Sequence, residues 1–300
     1  METILITGAG PKGVTGRLIK EHFLGKYNLL TPGSAELDLT NDIAVRKYFD
    51  TNVIDYVVHC ATFRPTSMSP AHFVDDELES NLRMYFSLAS QSNKYKKMIY
   101  LGSGAEFDKS KPIVMAKEDD FGVSIPKNKY GLGKYIMNLH ARNSNNIYNL
   151  RLFGTICKYE KPEKNVVSNL CVKAIMGLPL NLKQDCLFSF MDMDYLPMII
   201  ENVLKSDITY HDINIAIDRP FLLSEIAKII IEMNRIGIYS VEREGLNLEY
   251  TANTSNLVSC LSNSEFYKKC SVRDAVRKVF EHYLIMKDSI DIKDIDNRWK

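Results

Sequence analysis

Thr3-Ile-Leu-Ile-Thr7-Gly8-Ala-Gly10-Pro-Lys-Gly13-Val-Thr-Gly16 is the stretch from which the rest of the chain is read. Residues 3 to 7 form an apolar strand, the glycines a turn, and Val14, Leu18, Ile19 and Phe23 recur at helical spacing. Strand, glycine turn and helix in that order open a dinucleotide-binding unit. Glycine lets the backbone approach a pyrophosphate closely, and the helix start offers free N–H groups and the positive end of a dipole. Gly8, Gly10, Lys12, Gly13 and Gly16 are the candidate contacts to the cofactor. The competing reading is an ordinary strand-to-helix turn.

The bulk of the chain suits an α/β enzyme. Three hundred residues at 45% hydrophobic can bury a large core in one or two domains. The 38 Lys+Arg and 37 Asp+Glu nearly cancel. Without a basic block or an aromatic-basic stripe, no nucleic acid polymer is expected as a partner. The six cysteines lack a CxxC pairing and the six histidines show no ligand spacing, so neither a metal site nor a disulfide framework is expected. No apolar run approaches the ~20 residues of a membrane span. The N-terminus lacks a signal-peptide pattern, and a cytoplasmic location is the expectation.

Beyond the glycine turn, residues 28 to 31 read as a second strand, and residues 35 to 40 as another strand leading into a helix around Ala44 to Phe49. Residues 54 to 58 make a buried strand closing on His59-Cys-Ala61. Asp38 suits an adenine amino group or a local cap equally well. No acidic residue stands at the end of the second strand to hold a free ribose 2′-hydroxyl. With Lys12 as a counter-charge, the balance tips from NAD towards NADP. Asn81 lies within an amphipathic helix marked by Leu78, Leu82, Tyr85, Phe86 and Ala89. The strand Lys97–Leu101 runs into Ser103, at the carboxyl end where ligands sit in parallel sheets.

Tyr130 and Lys134 share a helix face about 6 Å apart at Cβ, and a cation beside a phenol favours phenolate. Tyr283 and Lys287 repeat the spacing near the C-terminus, so spacing alone does not choose between them.

Taken together, Thr7-Gly8, Leu37-Asp38-Leu39, His59-Cys-Ala61, Asn81, Ser103, Tyr130, Lys134, Arg151-Leu-Phe153 and the run Phe190 to Leu196 resemble the extended short-chain dehydrogenase/reductase family of sugar-nucleotide epimerases, dehydratases and reductases. The resemblance implies that Ser103 bonds the reacting carbonyl, that Tyr130 exchanges its proton, and that Lys134 holds the nicotinamide ribose. It also implies that Asp38, Leu39 and Ala61 line the cofactor site and that Arg64 and Asn169 reach the substrate. It favours the Tyr130 pair, because a dinucleotide half precedes that copy alone. Family members often dimerise through helices of the nucleotide domain.

Two departures from the family pattern matter. The usual TGxxGxxG loop carries an insertion, Pro11-Lys12, so that either the loop bulges with Gly13 and Gly16 in place or cofactor affinity suffers; Pro11 also removes one N–H. Two residues after Ser103, where dehydratases carry Glu and GDP-fucose synthase carries Cys, stands Ala105, which exchanges no proton. Glu106 is one residue out of register and points to the other face if the strand continues. Reduction, or C4 epimerisation through a transient ketone, needs only Ser103, Tyr130, Lys134 and a nicotinamide.

The expected fold is a doubly wound parallel Rossmann sheet with a smaller α/β lid. Residues 1–156 form the dinucleotide-binding domain, joined again by 191–216; residues 157–190 and 217–300 form the substrate-binding lid. Helices are expected at 166–176, 196–204, 223–233 and 272–286, with strands near 187–190 and 213–216. The expected activity is NAD(P)-dependent reduction of a nucleotide-linked 4-keto sugar. The alternatives are a nucleotide-sugar C4 epimerase and a non-catalytic dinucleotide-binding protein of the same fold, favoured by the Pro11-Lys12 insertion.

Overall fold

In the computed structural model, which describes residues 1–11, 13–63, 77–261, 264–291 and 295, a six-stranded sheet carries the nucleotide-binding half. Its strands are β1 (Thr3–Thr7), β2 (Asn28–Leu30), β3 (Tyr56–His59), β4 (Lys97–Ser103), β6 (Ile147–Leu152) and β10 (Asp212–Ile215), all parallel, in the spatial order β2-β1-β3-β4-β6-β10. The chain leaves β1 for β2 on one side and returns to β3 on the other. This reversal opens the crevice above the carboxyl ends of β1 and β3.

Both faces of the sheet are covered, as strand alternation requires. Ile4 and Ile6 of β1 pack with Leu18, Ile19 and Phe23 of α1 (Val14–Phe23). Leu5, Val57, Met98 and Tyr100 pack on the opposite face with Val45 and Phe49 of α2 (Asp42–Thr51), Tyr85 and Leu88 of α3 (Glu77–Ala89), and Met137 of α4 (Lys129–Ala141). The expected strand over residues 35 to 40 does not form. Leu37 and Leu39 turn inward to this second cluster from irregular chain, so alternating apolar residues here reflect two anchor points of a turn.

The later elements are β5 (Ile113–Ala116), β7 (Gly154–Ile156), α5 (Val166–Ile175), β8 (Leu180–Asp185), β9 (Leu187–Asp192), α6 (Leu196–Lys205), β11 (Ile217–Leu222), α7 (Leu223–Asn234), β12 (Tyr239–Leu246), β13 (Tyr250–Ala252), α8 (Ser255–Leu261) and α9 (Val272–Ile285). A second sheet runs β11-β9-β13-β5, with β7 also on β9, and β12 pairs with β8. Thus residues 113–116 and 154–156, inside the segment assigned to the nucleotide half, pair in the second sheet, while 212–215 joins the first. The helix starts follow their caps: Asn128, Asn165 and Ser271 each accept from backbone N–H groups of the first turn.

Candidate active site

The carboxyl ends of the central strands lie level, with Thr7 beside His59, His59 beside Tyr100, and Ser103 beside Leu152. Sequence-expected groups of the nucleotide site meet at the first of these. Gly8 adopts φ +70°, and a methyl group on it would fall 2.7 Å from the Ala61 nitrogen. Methyl groups on Gly13 and Gly16 would fall 1.9 and 2.5 Å from the Gly8 carbonyl oxygen, so all three glycines are fixed by contact with one another. The insertion is absorbed where the Gly13 N–H donates to the Gly10 carbonyl (2.9 Å), with Pro11 in the second turn position that its ring favours. Gly13 and Gly16 therefore keep their places on Gly8. Lys12 and Arg64 lie outside the described residues.

Thr7 ties the two strand ends together. Its hydroxyl accepts from the Cys60 and Ala61 N–H groups, each at 3.2 Å, which leaves its proton for His59 Nδ1 at 2.8 Å. Burial, with the nearby Lys134 charge, pushes His59 down to about 3, so its ring is neutral and structural. Asp38 is exposed and accepts from the Thr40 N–H (2.9 Å) and hydroxyl (2.7 Å), both at one carboxylate oxygen, in a local turn; Leu39 is buried beside it. Asn81 holds the chain after β3, exchanging 2.9 Å hydrogen bonds with the Phe63 N–H and carbonyl.

At the end of β4, Ser103 and Lys134 are both buried. The ammonium of Lys134 donates to the Leu101 carbonyl (2.7 Å), directly below Ser103 in the strand. Gly131 explains how α4 comes so close: a methyl there would lie 2.7 Å from the Ala105 carbonyl oxygen. The glycine after Tyr130 thus seats the helix start on the Ser103–Ala105 turn. Tyr130, in the first turn of α4, remains partly open to solvent.

Below the turn lies a charged network that strand alternation did not anticipate. Ser103 caps a 3₁₀ turn over Gly104–Phe107, its hydroxyl accepting from the Ala105 N–H (3.2 Å), while Glu106 reaches back to accept from the Ser103 N–H (3.0 Å). The buried Glu106 carboxylate also meets Asn149 Nδ2 (3.0 Å) and Arg151 Nε (2.8 Å). Arg151 is fully buried and extends to Asn214 (2.8 Å) and Asp212 (2.5 Å). Burial raises Glu106, and the Arg151 charge opposes it. The signal was present as Ser103-Gly-Ala-Glu106, the S-x-x-E capping box. Ala105 is buried and brings no ionisable group to the site.

Asn169 is buried in α5 and donates to the Pro162 carbonyl (3.2 Å). Tyr283 and Lys287 part company: the phenol is buried in α9 and donates to the Glu160 carbonyl, and the lysine is exposed beyond the helix. Asp192 and Asp194 share Lys278 at 2.9 and 3.3 Å. Tyr250 of β13 reaches the Ser103 turn from the second sheet, a neighbour with no local signal in sequence. All six cysteines are free thiols, no group of metal-binding side chains occurs among the described residues, and no helix among them is long and apolar enough to cross a membrane.

Comparison with known proteins agrees with this fold. The profile described as "NAD dependent epimerase/dehydratase family" matches residues 4–181. GDP-L-colitose synthase of Yersinia pseudotuberculosis is 28% identical over 111 residues, 35% of this chain and 35% of that protein. The aligned part thus spans about a third of that relative's length. Among solved structures, a GDP-mannoheptose C4 reductase from Campylobacter jejuni with NADP bound superposes at TM-score 0.75 (19% identity; 94% of this chain, 98% of that one). A GDP-L-fucose synthetase from Naegleria fowleri bound to NADP gives 0.77 (16%; 96% and 95%). The UDP-glucose 4-epimerase of Thermotoga maritima gives 0.73 (16%; 96% and 100%). At these identities the structural likenesses establish the fold.

Proposed function

The chain belongs to the NAD dependent epimerase/dehydratase family, and from that premise we propose that it is a cytoplasmic NAD(P)-dependent reductase of a nucleotide-linked 4-keto sugar. The observations that support this reading are the Lys134 ammonium on the Leu101 carbonyl and the close seating of Gly131, next to Tyr130, on the Ala105 carbonyl that follows Ser103.

The site fits a dinucleotide. The locked Gly8, Gly13 and Gly16 offer backbone at the start of α1, which suits a pyrophosphate. Asp38, Leu39 and Ala61 are the residues offered to adenine, and Gly10 to the phosphates. Neither Thr31 nor Ser34 beyond β2 repels a 2′-phosphate, which favours NADP. The bound nicotinamide supplies the hydride. Ser103 donates to the carbonyl oxygen and Tyr130 delivers the proton that makes it a hydroxyl, general acid assistance typically worth about 10²- to 10⁴-fold. Lys134, anchored on the Leu101 carbonyl, holds its charge between Tyr130 and the ribose site. Glu106 takes no part in proton transfer at carbon, since Arg151, Asn149 and the Ser103 N–H occupy its carboxylate.

Arg64 and Asn169 remain candidates for the substrate side; the burial of Asn169 favours a supporting role there. A homodimer through α3 and α4 belongs to the same reading, and Leu78, Leu82 and Phe86 line an open apolar groove beside Lys129 on that face. A C4 epimerase would use the same three catalytic groups, and net cofactor oxidation separates the two. The test is Tyr130→Phe: turnover is abolished while NADPH binding stays nearly intact. Equal activity in the variant contradicts the mechanism.

A further inference from the structure

Gly102, one residue before Ser103 on β4, has the space of its side chain taken by two other residues. A methyl group there would fall 1.9 Å from Asn149 Oδ1 and 2.4 Å from Glu106 Oε1. A glycine inside a strand marks the close approach of another group, and here it admits a carboxylate. Glu106 Oε1 thereby accepts from the Ser103 N–H (3.0 Å), and Glu106 Oε2 accepts from Arg151 Nε (2.8 Å). Gly102 lies beside Arg151 of β6, and Asn149 of β6 lies beside Asp212 of β10. Arg151 is held at its far end as well. Its Nη2 donates to Asp212 Oδ2 (2.5 Å), and Asn138 of α4, the helix of Tyr130 and Lys134, donates to the same oxygen (3.1 Å).

Three donors thus share the two oxygens of Glu106: the Ser103 N–H, the Asn149 amide (3.0 Å) and Arg151 Nε. An ionised carboxylate accepts at both oxygens, which is why one side chain can serve all three. We propose that Glu106 is a positioning residue for Ser103. Pinned by Arg151 and Asn149, it holds the Ser103 N–H and fixes the turn in which Ser103 Oγ accepts from the Ala105 N–H, so that the Ser103 hydroxyl is directed at the substrate carbonyl. The role requires the carboxylate. A glutamine offers one acceptor oxygen to the same three donors, and the Arg151 guanidinium, the charged donor among them, bonds it most strongly. The Ser103 N–H then faces another N–H. The inference rests on the reductase reading for its target, the carbonyl oxygen; the grip on the Ser103 N–H does not.

Two measurements test it. In steady-state reduction of a nucleotide-linked 4-keto sugar, Glu106→Gln is expected to lower kcat about tenfold, with the KM for the sugar and the affinity for NADPH within about twofold of wild type. In a Ser103→Ala background the same substitution is expected to change kcat by less than about twofold, because its effect passes through Ser103. Full activity of the single variant, a loss confined to KM, or additive losses in the double variant overturns the proposal. Independently of turnover, protein labelled with 15N at serine gives a Ser103 amide resonance, identified by its loss in Ser103→Ala. Its hydrogen exchange is expected to be at least about tenfold faster in Glu106→Gln, while the amide of the buried Ser189 keeps its rate. An unchanged Ser103 rate, or equal acceleration at both serines, overturns the proposal. In the wild-type protein, a Ser103 amide exchanging as fast as that of the exposed Ser34 overturns it whether or not the variant folds. Selective acceleration at Ser103 in a protein that reduces no such sugar supports the grip and sinks the reductase reading instead.

Discussion

Tyr130-Lys134 and Tyr283-Lys287 share one spacing, yet they sit in opposite surroundings: the first pair lies within a helix of 13 residues, whereas the second straddles the end of a helix of 14. Tyr130 opens its helix over the carboxyl ends of the parallel strands, and Lys134 is buried against the Leu101 carbonyl. Tyr283 is near the end of its helix, buried with its hydroxyl on the Glu160 carbonyl, while Lys287 faces solvent. A four-residue spacing places two groups on one face; what that face meets decides whether it carries chemistry. The glycine at 131 does this for the first pair by admitting the Ala105 carbonyl to van der Waals distance.

The largest effect expected from this contrast is on rate. Tyr130→Phe should lower kcat by at least about 10²-fold, and Tyr283→Phe should leave it within about twofold. Comparable losses in both would erase the distinction between the two pairs.

Next is the support beneath each pair. Arg151→Met leaves Glu106 buried without its cation and Asp212 with only the more distant Arg142 (3.7 Å), and should cost about 3–5 kcal/mol in chemical unfolding, as breaking a buried ion pair does. A variant as stable as wild type would show that the network under Ser103 is dispensable.

The surroundings of Tyr283 should show a pH dependence of their own. Burial pushes Glu160 up to about 7 against the hydrogen bonds from the Thr155 hydroxyl and the Cys157 backbone. The folded state thus prefers the neutral acid. Its contribution to stability is whole below the ordinary carboxylate range and is lost as pH rises through about 7. That contribution is at most about 3 kcal/mol. Unfolding free energy measured across this range should fall with rising pH, and Glu160→Gln should flatten that part of the curve; an unchanged slope would exclude Glu160 as its source.

The smallest effects are those of the second pair itself. Tyr283→Phe should cost about 1 kcal/mol for the lost hydrogen bond, and Lys287→Ala should stay within about 0.5 kcal/mol. Thermal melts of the two variants check both.

The first sheet was legible because each of its signals is local. A strand, a glycine turn and a helical repeat stand next to one another in residues 3 to 23, and Ser103 follows its strand directly. The helices of the second half were legible through period and caps, as with Ser271, which accepts from the Asp274 N–H at 3.1 Å. Residues 35 to 40 misled because Leu37 and Leu39 alternate like a strand while serving as anchors of a turn. Glu106 was misplaced for a related reason: strand alternation was extended past Ser103, although the capping box ends the strand there. Tyr250 was hidden because a three-residue strand carries no periodic signal, and its approach to Ser103 depends on how the second sheet closes on the first.

The most direct test of the central claim is NADPH oxidation on adding a nucleotide-linked 4-keto sugar to the purified protein. One NADPH consumed for each sugar reduced, with the activity lost in Tyr130→Phe, is the result expected. Formation of a C4 epimer without net NADPH consumption, or failure to bind either NADPH or NADH, would contradict the account.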